Sequence, residues 1–179
     1  IRIENRMKET ISNVKIDKIE RVQNLRLWNH YAFRRRTLRQ ELSDKPDLQI
    51  EMELFHGTRA TLPSEIYNGE YGFDMSYCTS GLWGLGTYFA MSASYSCQSY
   101  SYGLADGKRQ VFLAQVLTGD VFDYKNKNDP TLRRAPKKNE SISGGTRYSS
   151  VSGETGGSKV YIVFENRVAY PTFLITFSQ

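Results

Sequence analysis

Gly81, Gly84 and Gly86 place three glycines within six residues of the stretch GLWGLGTYFA (Gly81–Ala90). Glycines at such spacing hold phosphate when they follow a strand and open a helix, because the helix N-terminus supplies the amides that bind the anion. Here they follow a loop, lead into the strand-like TYFA and lack a GK[ST] continuation, which disfavours a phosphate cradle. Two readings are left: a hairpin turn, where glycine supplies positive φ without steric cost, or a wall of some other nucleotide pocket. A second chemical pair stands upstream in LFHGT. His56 is an imidazole able to donate and accept while neutral near physiological pH, and Gly57 beside it has no Cβ to obstruct close approach. His30, on a helix, suits a structural role.

Other chemistry is thinly represented. Cys78 and Cys97 lack CxxC spacing, so they make neither a disulfide framework nor a zinc site, and a reducing compartment is expected. The net charge of +5 would suit an acidic partner, with basic clusters at Arg34, Arg35 and Arg36 and at Arg133, Arg134, Lys137 and Lys138. A basic run on a helix is usually a solvated face, so nucleic-acid binding is not the favoured reading. No long uncharged apolar run is present, which excludes a membrane-spanning helix as an expectation. The N-terminus is charged, lacks a secretory apolar region and does not begin with Met, so a fragment of a longer intracellular protein, cytoplasmic or nuclear, is expected.

The elements that must position these residues are legible in part. Residues 22–42 read as an amphipathic helix whose apolar face is Val22, Leu25, Trp28 and Tyr31 or Ala32, ended by SDKPD. MELFHGT reads as a short strand stopping at Gly57, and Pro63 opens one or two helical turns over residues 62–68. VFLAQVL, VYIVF and FLITF are too short for helices and rich in β-branched and aromatic residues, as buried strands are. No amphipathic helix separates them, so the sheet is expected to be largely antiparallel. The Ser- and Gly-rich segment 140–158 reads as one long exposed loop.

Taken in order, KIERVQNLRLWNHY, LFHGT, GLGTYFAMSASYS, VFLAQVLTGD, RYSSVS and AYPTFLITF resemble the catalytic domain of the poly(ADP-ribose) polymerase family. These are the diphtheria-toxin-like ADP-ribosyltransferases, and the macrodomain and CCCH-zinc-finger members are the nearest in flavour. The resemblance implies an α+β fold with a largely antiparallel split β-sheet core and flanking helices. It also implies one catalytic domain over residues 1–179, without the helical autoinhibitory domain of DNA-break-activated members.

The resemblance further implies NAD+ as the ADP-ribose donor, no metal, and protein acceptors, with automodification among them. His56 would bond a ribose hydroxyl of the adenosine half, and Gly57 the nicotinamide carboxamide through its backbone. Tyr88 would contact the nicotinamide side, Ser96 would donate to the carboxamide oxygen, and Tyr100, with Tyr102 as the alternative, would stack on the ring. Tyr161 belongs to the same implied binding set. Val160 stands where polymer-forming members carry a catalytic glutamate, and members with an aliphatic residue there transfer single units. Glu165, at an odd offset on the same strand, is discounted as a substitute. Residues 61–85 would form a donor loop and 140–158 an acceptor-side loop. The expected activity is mono-ADP-ribosyl transfer; the alternatives are a weak or inactive NAD-binding pseudoenzyme and a transferase acting on nucleic-acid ends.

Overall fold

The structure is a computed structural model and describes residues 2–179. In chain order it has α1 (Arg2–Lys8), β1 (Lys15–Arg21), α2 (Leu25–Glu41), β2 (Glu51–His56) and α3 (Pro63–Tyr67). A 3₁₀ turn (Met75–Tyr77), β3 (Ser80–Gly81), β4 (Gly84–Leu85), β5 (Thr87–Ala90) and α4 (Ala93–Ser99) follow. The remainder is β6 (Tyr102–Gly103), β7 (Arg109–Leu117), β8 (Val121–Asp123), β9 (Ser150–Thr155), β10 (Ser158–Val163) and β11 (Ala169–Ser178). The main sheet among the described residues runs β1-β11-β7-β2-β5-β10-β9-β8, with β6 beside β7. Its pairs are antiparallel except β8 with β9, so the expected mixed fold with an antiparallel core is what forms.

Alternation along the strands divides the core between the two faces of this sheet. Leu54, Phe112, Ala114 and Val163 meet Leu27, Tyr31 and Leu38 of α2 on one face. Their neighbours Phe55, Val111 and Leu113 meet Met7 of α1 and Ala93 and Cys97 of α4 on the other. A third cluster gathers around the fully buried Trp83. Two charged carboxylates tie the layers at their rims: Glu53 accepts from Arg2 and Arg6, and Glu51 pairs with Arg35 and with the Tyr31 hydroxyl.

Two expectations are corrected here. Helix α2 starts at Leu25, capped by the Asn24 side chain accepting from Leu27 N–H at 3.1 Å. Val22 lies outside it, its N–H bonded to Thr172 O, so it continues the sheet edge. The helix therefore buries Leu27, Tyr31 and Leu38, while Leu25 is 74% exposed and the exposed Trp28 leans on Tyr31 and Tyr170 at 5.8 and 5.3 Å. The second correction concerns residues 140–158, which contain β9 rather than one loop. Ser150 and Ser152 are buried and hydrogen-bonded to Thr118 O and the Asp123 carboxylate. A Cβ on Gly153 would stand 1.9 Å from the Trp83 indole. Small residues that look like loop are here the ones a strand needs beneath a large ring.

Candidate active site

Strands β2 and β5 share a single residue pair, Phe55 with Ala90, and beyond it the sheet opens. His56 ends β2 on one side of the opening, and Thr87 and Tyr88 stand on β5 at the other. A cleft of about 230 Å³ forms there, and its walls include His56, Gly57, Tyr88, Ser96 and Tyr100. Segment 61–85 contributes Thr61, Phe73, Asp74, Tyr77 and Ser80 to the same walls. Residues from four separate stretches of chain thus converge.

His56 bridges the split. Its Nδ1–H donates to Tyr88 O at 2.7 Å, which fixes the tautomer and leaves Nε2 as an acceptor. Phe73 and Phe89 flank the ring, with centroids 5.0 and 5.1 Å away. Burial outweighs the backbone hydrogen bond and pushes the imidazole down from its ordinary 6.5 to about 4. The depressed value means the unfolded chain binds a proton that the native state refuses. Stability from this group is complete above about pH 6.5 and is lost as pH falls toward the folded value. In a proton NMR titration, His56 is expected to keep a constant ring shift from pH 8 down to about pH 5.5. A midpoint near the ordinary imidazole value would contradict this placement.

Tyr88 explains the glycines. Its hydroxyl accepts from Trp83 N–H and donates to Gly84 O, both at 2.9 Å, so it clasps the hairpin formed by β3 and β4. The ring lies against Gly81, where a Cβ would meet the hydroxyl at 2.7 Å. Gly84 has φ of +78°, and a Cβ there would stand 2.0 Å from Leu132 O. The stretch is both a tight turn and a wall of the cleft, since Gly81 and Gly86 line it. Burial pushes the Tyr88 hydroxyl up to about 12, which keeps it protonated for both bonds.

Gly57 serves a close backbone approach. A Cβ there would fall 2.3 Å from the Tyr100 carbonyl carbon and oxygen. Tyr100 caps α4, its N–H bonded to Ser96 O, and its ring lies 4.9 Å from Tyr95 with the two hydroxyls 3.0 Å apart. Tyr102 instead belongs to β6, paired with β7. Gly57→Ala is expected to displace Tyr100 at a cost of about 1–3 kcal/mol and to shrink any thermal shift produced by NAD+. Parent-like melting and NAD+ response in that variant would contradict the role given to Gly57.

Two lining residues escaped the sequence reading although they directly follow the His56–Gly57 pair. Thr58 Oγ1 is buried without a hydrogen-bond partner. Arg59 takes a left-handed backbone, φ 50°, donates its N–H to Tyr100 O at 2.8 Å, and stacks its guanidinium 4.4 Å over the Tyr100 ring. A lone Thr or Arg carries no periodic signal; only position after the glycine marks them.

Val160 and Tyr161 do not line the cleft. Val160 pairs with Ala90 and is fully buried with Trp83, Val151 and Ile162. Tyr161 lies on the opposite face, in the core cluster that includes Phe89 and Val163, with Lys159 Nζ 5.9 Å from its ring. Glu165 is exposed and paired with Arg34 at 3.3 Å. Cys78 lines the cleft, but burial raises its thiol, which makes it a poor nucleophile. Among the described residues, no group of three or more His, Cys, Asp or Glu is placed to hold a metal, and no helix is long and apolar enough to cross a membrane.

Comparison with known families matches residues 2–179 to the poly(ADP-ribose) polymerase catalytic domain. The chain belongs to that family. It is 36% identical over 180 residues to a probable poly(ADP-ribose) polymerase of Dictyostelium discoideum, covering 99% of this chain and 49% of that protein. It is 34% identical over 181 residues to the human protein mono-ADP-ribosyltransferase PARP14, covering 99% of this chain and 9% of the relative. The mouse protein mono-ADP-ribosyltransferase PARP10 is 34% identical over 167 residues, covering 91% and 16%. The chain therefore spans about half the length of the first of these relatives and a small part of the others. In this poly(ADP-ribose) polymerase domain, the cleft between β2 and β5 gathers His56, Gly57, Tyr88, Ser96 and Tyr100, while Val160 and Tyr161 lie outside it.

Proposed function

We propose that this domain is an NAD+-dependent ADP-ribosyltransferase that delivers single ADP-ribose units to protein side chains. The reading is carried by the convergence of His56, Gly57, Tyr88, Ser96 and Tyr100 on one cleft. Thr58 Oγ1, a buried hydroxyl with no partner at that wall, supports a polar ligand there, because such groups are seldom left unpaired. In this account His56 Nε2 accepts from a ribose hydroxyl, and the Gly57 backbone and Ser96 hydroxyl hold the carboxamide. Tyr100 stacks on the nicotinamide, and Arg59 offers the pyrophosphate a cation. The bond from ribose C1′ to nicotinamide breaks as the acceptor's nucleophilic atom bonds C1′, and nicotinamide departs neutral with the electron pair. Positioning and exclusion of water around a cationic transition state supply the rate.

Val160, which the resemblance aligns with the glutamate of polymer-forming members, is what the expected product length is read from. An aliphatic side chain cannot hold the ribose hydroxyl or activate a second ribose as acceptor, so the acceptor's own carboxylate assists the first transfer and chains do not grow. The names of the relatives divide between poly and mono; the valine favours the mono members. Incubation with NAD+ and lysate acceptors tests the reading by nicotinamide release and labelling. Release with protein labelling supports it. An NAD+-induced thermal shift without any release would make the domain a binding pseudoenzyme and overturn it.

A further inference from the structure

The basic cluster at Arg133 and Arg134 is not on a helix. It lies in the long segment between β8 and β9, where Ala135 is buried and both arginines face outward. Arg147 returns beside them, its guanidinium donating to Ala135 O at 2.8 Å. These three arginines, with Tyr148, Phe164 and Glu165, wall an open groove. Its carboxylate, Glu165, is taken by Arg34, and nearby Lys138 is taken by Asp120 at 2.8 Å. Arg133, Arg134 and Arg147 have no carboxylate within ion-pair distance among the described residues. The groove adjoins the cleft. Gly86 lines the cleft, and a Cβ on it would lie 3.2 Å from the Phe164 ring that lines the groove.

We propose that this groove docks a short acidic segment of the acceptor protein, beside the cleft from which ADP-ribose is transferred. The proposal rests on the transferase reading above and names the class of acceptor that reading leaves open. Three clustered guanidiniums without counter-charges, backed by two aromatic rings, complement a run of two or three carboxylates. A nucleic-acid strand fits less well, because strand binding needs a row of cations that tracks the backbone. The basic run Arg34–Arg36 is largely neutralised, Arg34 by Glu41 and Glu165 and Arg35 by Glu51.

Fluorescein-labelled hexaglutamate and hexaglutamine peptides test this by anisotropy, with the parent domain and with Arg133→Glu/Arg134→Glu. NAD+ thermal shift serves as the measure of fold and donor cleft. The expected result is about tenfold tighter binding of hexaglutamate than of hexaglutamine, weakened by salt. The double reversal should abolish that preference with the NAD+ shift unchanged, and saturating NAD+ should leave peptide binding intact. Equal binding of both peptides, displacement of hexaglutamate by NAD+, or a single-stranded oligonucleotide binding more tightly through the same arginines would each overturn it. A domain that responds to NAD+ without peptide preference rejects the groove alone; one that binds hexaglutamate without responding to NAD+ rejects the cleft reading alone.

Discussion

Val160→Glu is expected to destabilise the domain by about 3–5 kcal/mol and to leave its products as single ADP-ribose units. The glutamate that polymer-forming members carry would here enter a space filled by Trp83, Ala90, Val151 and Ile162, with no exposed surface. The adjacent cation, Lys159, is turned to the other face and bonded to Asp123 at 3.0 Å. An unpaired carboxylate in that cluster has its folded-state value raised above the unfolded 4.3 or so. Its burden is therefore small in acid and grows as pH rises. The gap in melting temperature between parent and variant should widen from about pH 5 to about pH 8, reaching roughly 10 °C. Chain growth would not follow, because the acceptor side must also receive a second ADP-ribose. Calorimetry across pH and gel analysis of the products check both halves. Unchanged melting, or long polymers, would refute them.

The largest effect on activity is expected from His56→Ala. Removing the ring deletes the acceptor proposed for the ribose and also the 2.7 Å bond that joins β2 to β5 across the split. A misplaced substrate alone costs about a hundredfold, so transfer should fall by that factor or more. Stability should drop by about 1–3 kcal/mol for the stranded Tyr88 carbonyl and the cavity between Phe73 and Phe89. If steady-state nicotinamide release by the folded variant fell less than about threefold, the ring would have no role in the reaction.

The β-rich core was readable because VFLAQVL, VYIVF and FLITF carry their burial in their composition, and the site because LFHGT and GLGTYFA mark chain that must approach other backbone closely. The hairpin and pocket-wall readings of the glycines turn out to be compatible, which no local pattern shows. The buried face of α2 was misread because Leu25 and Trp28 are apolar but lie on the wrong side once Asn24 sets the helix start. Strand β9 was missed because its identity depends on Trp83 packing over Gly153, a contact about seventy residues away. Tyr161, expected in the binding set, lies in the core for a related reason. The register that pairs Val160 with Ala90 puts the two side chains on opposite faces, Val160 beside Trp83 and Tyr161 beside Phe89, and both faces are core. Charged KIDKIER hides the edge strand β1 in the same way.

The central claim is that a cleft holding His56, Gly57, Tyr88, Ser96 and Tyr100 passes one ADP-ribose at a time from NAD+ to protein. Intact-mass and site-mapping mass spectrometry of the domain and its acceptors after incubation with NAD+ tests it most directly. The account predicts modification in single ADP-ribose increments at each site, reduced to background in His56→Ala. Modified sites bearing two or more linked units, or a folded domain that leaves every protein unmodified, would contradict it.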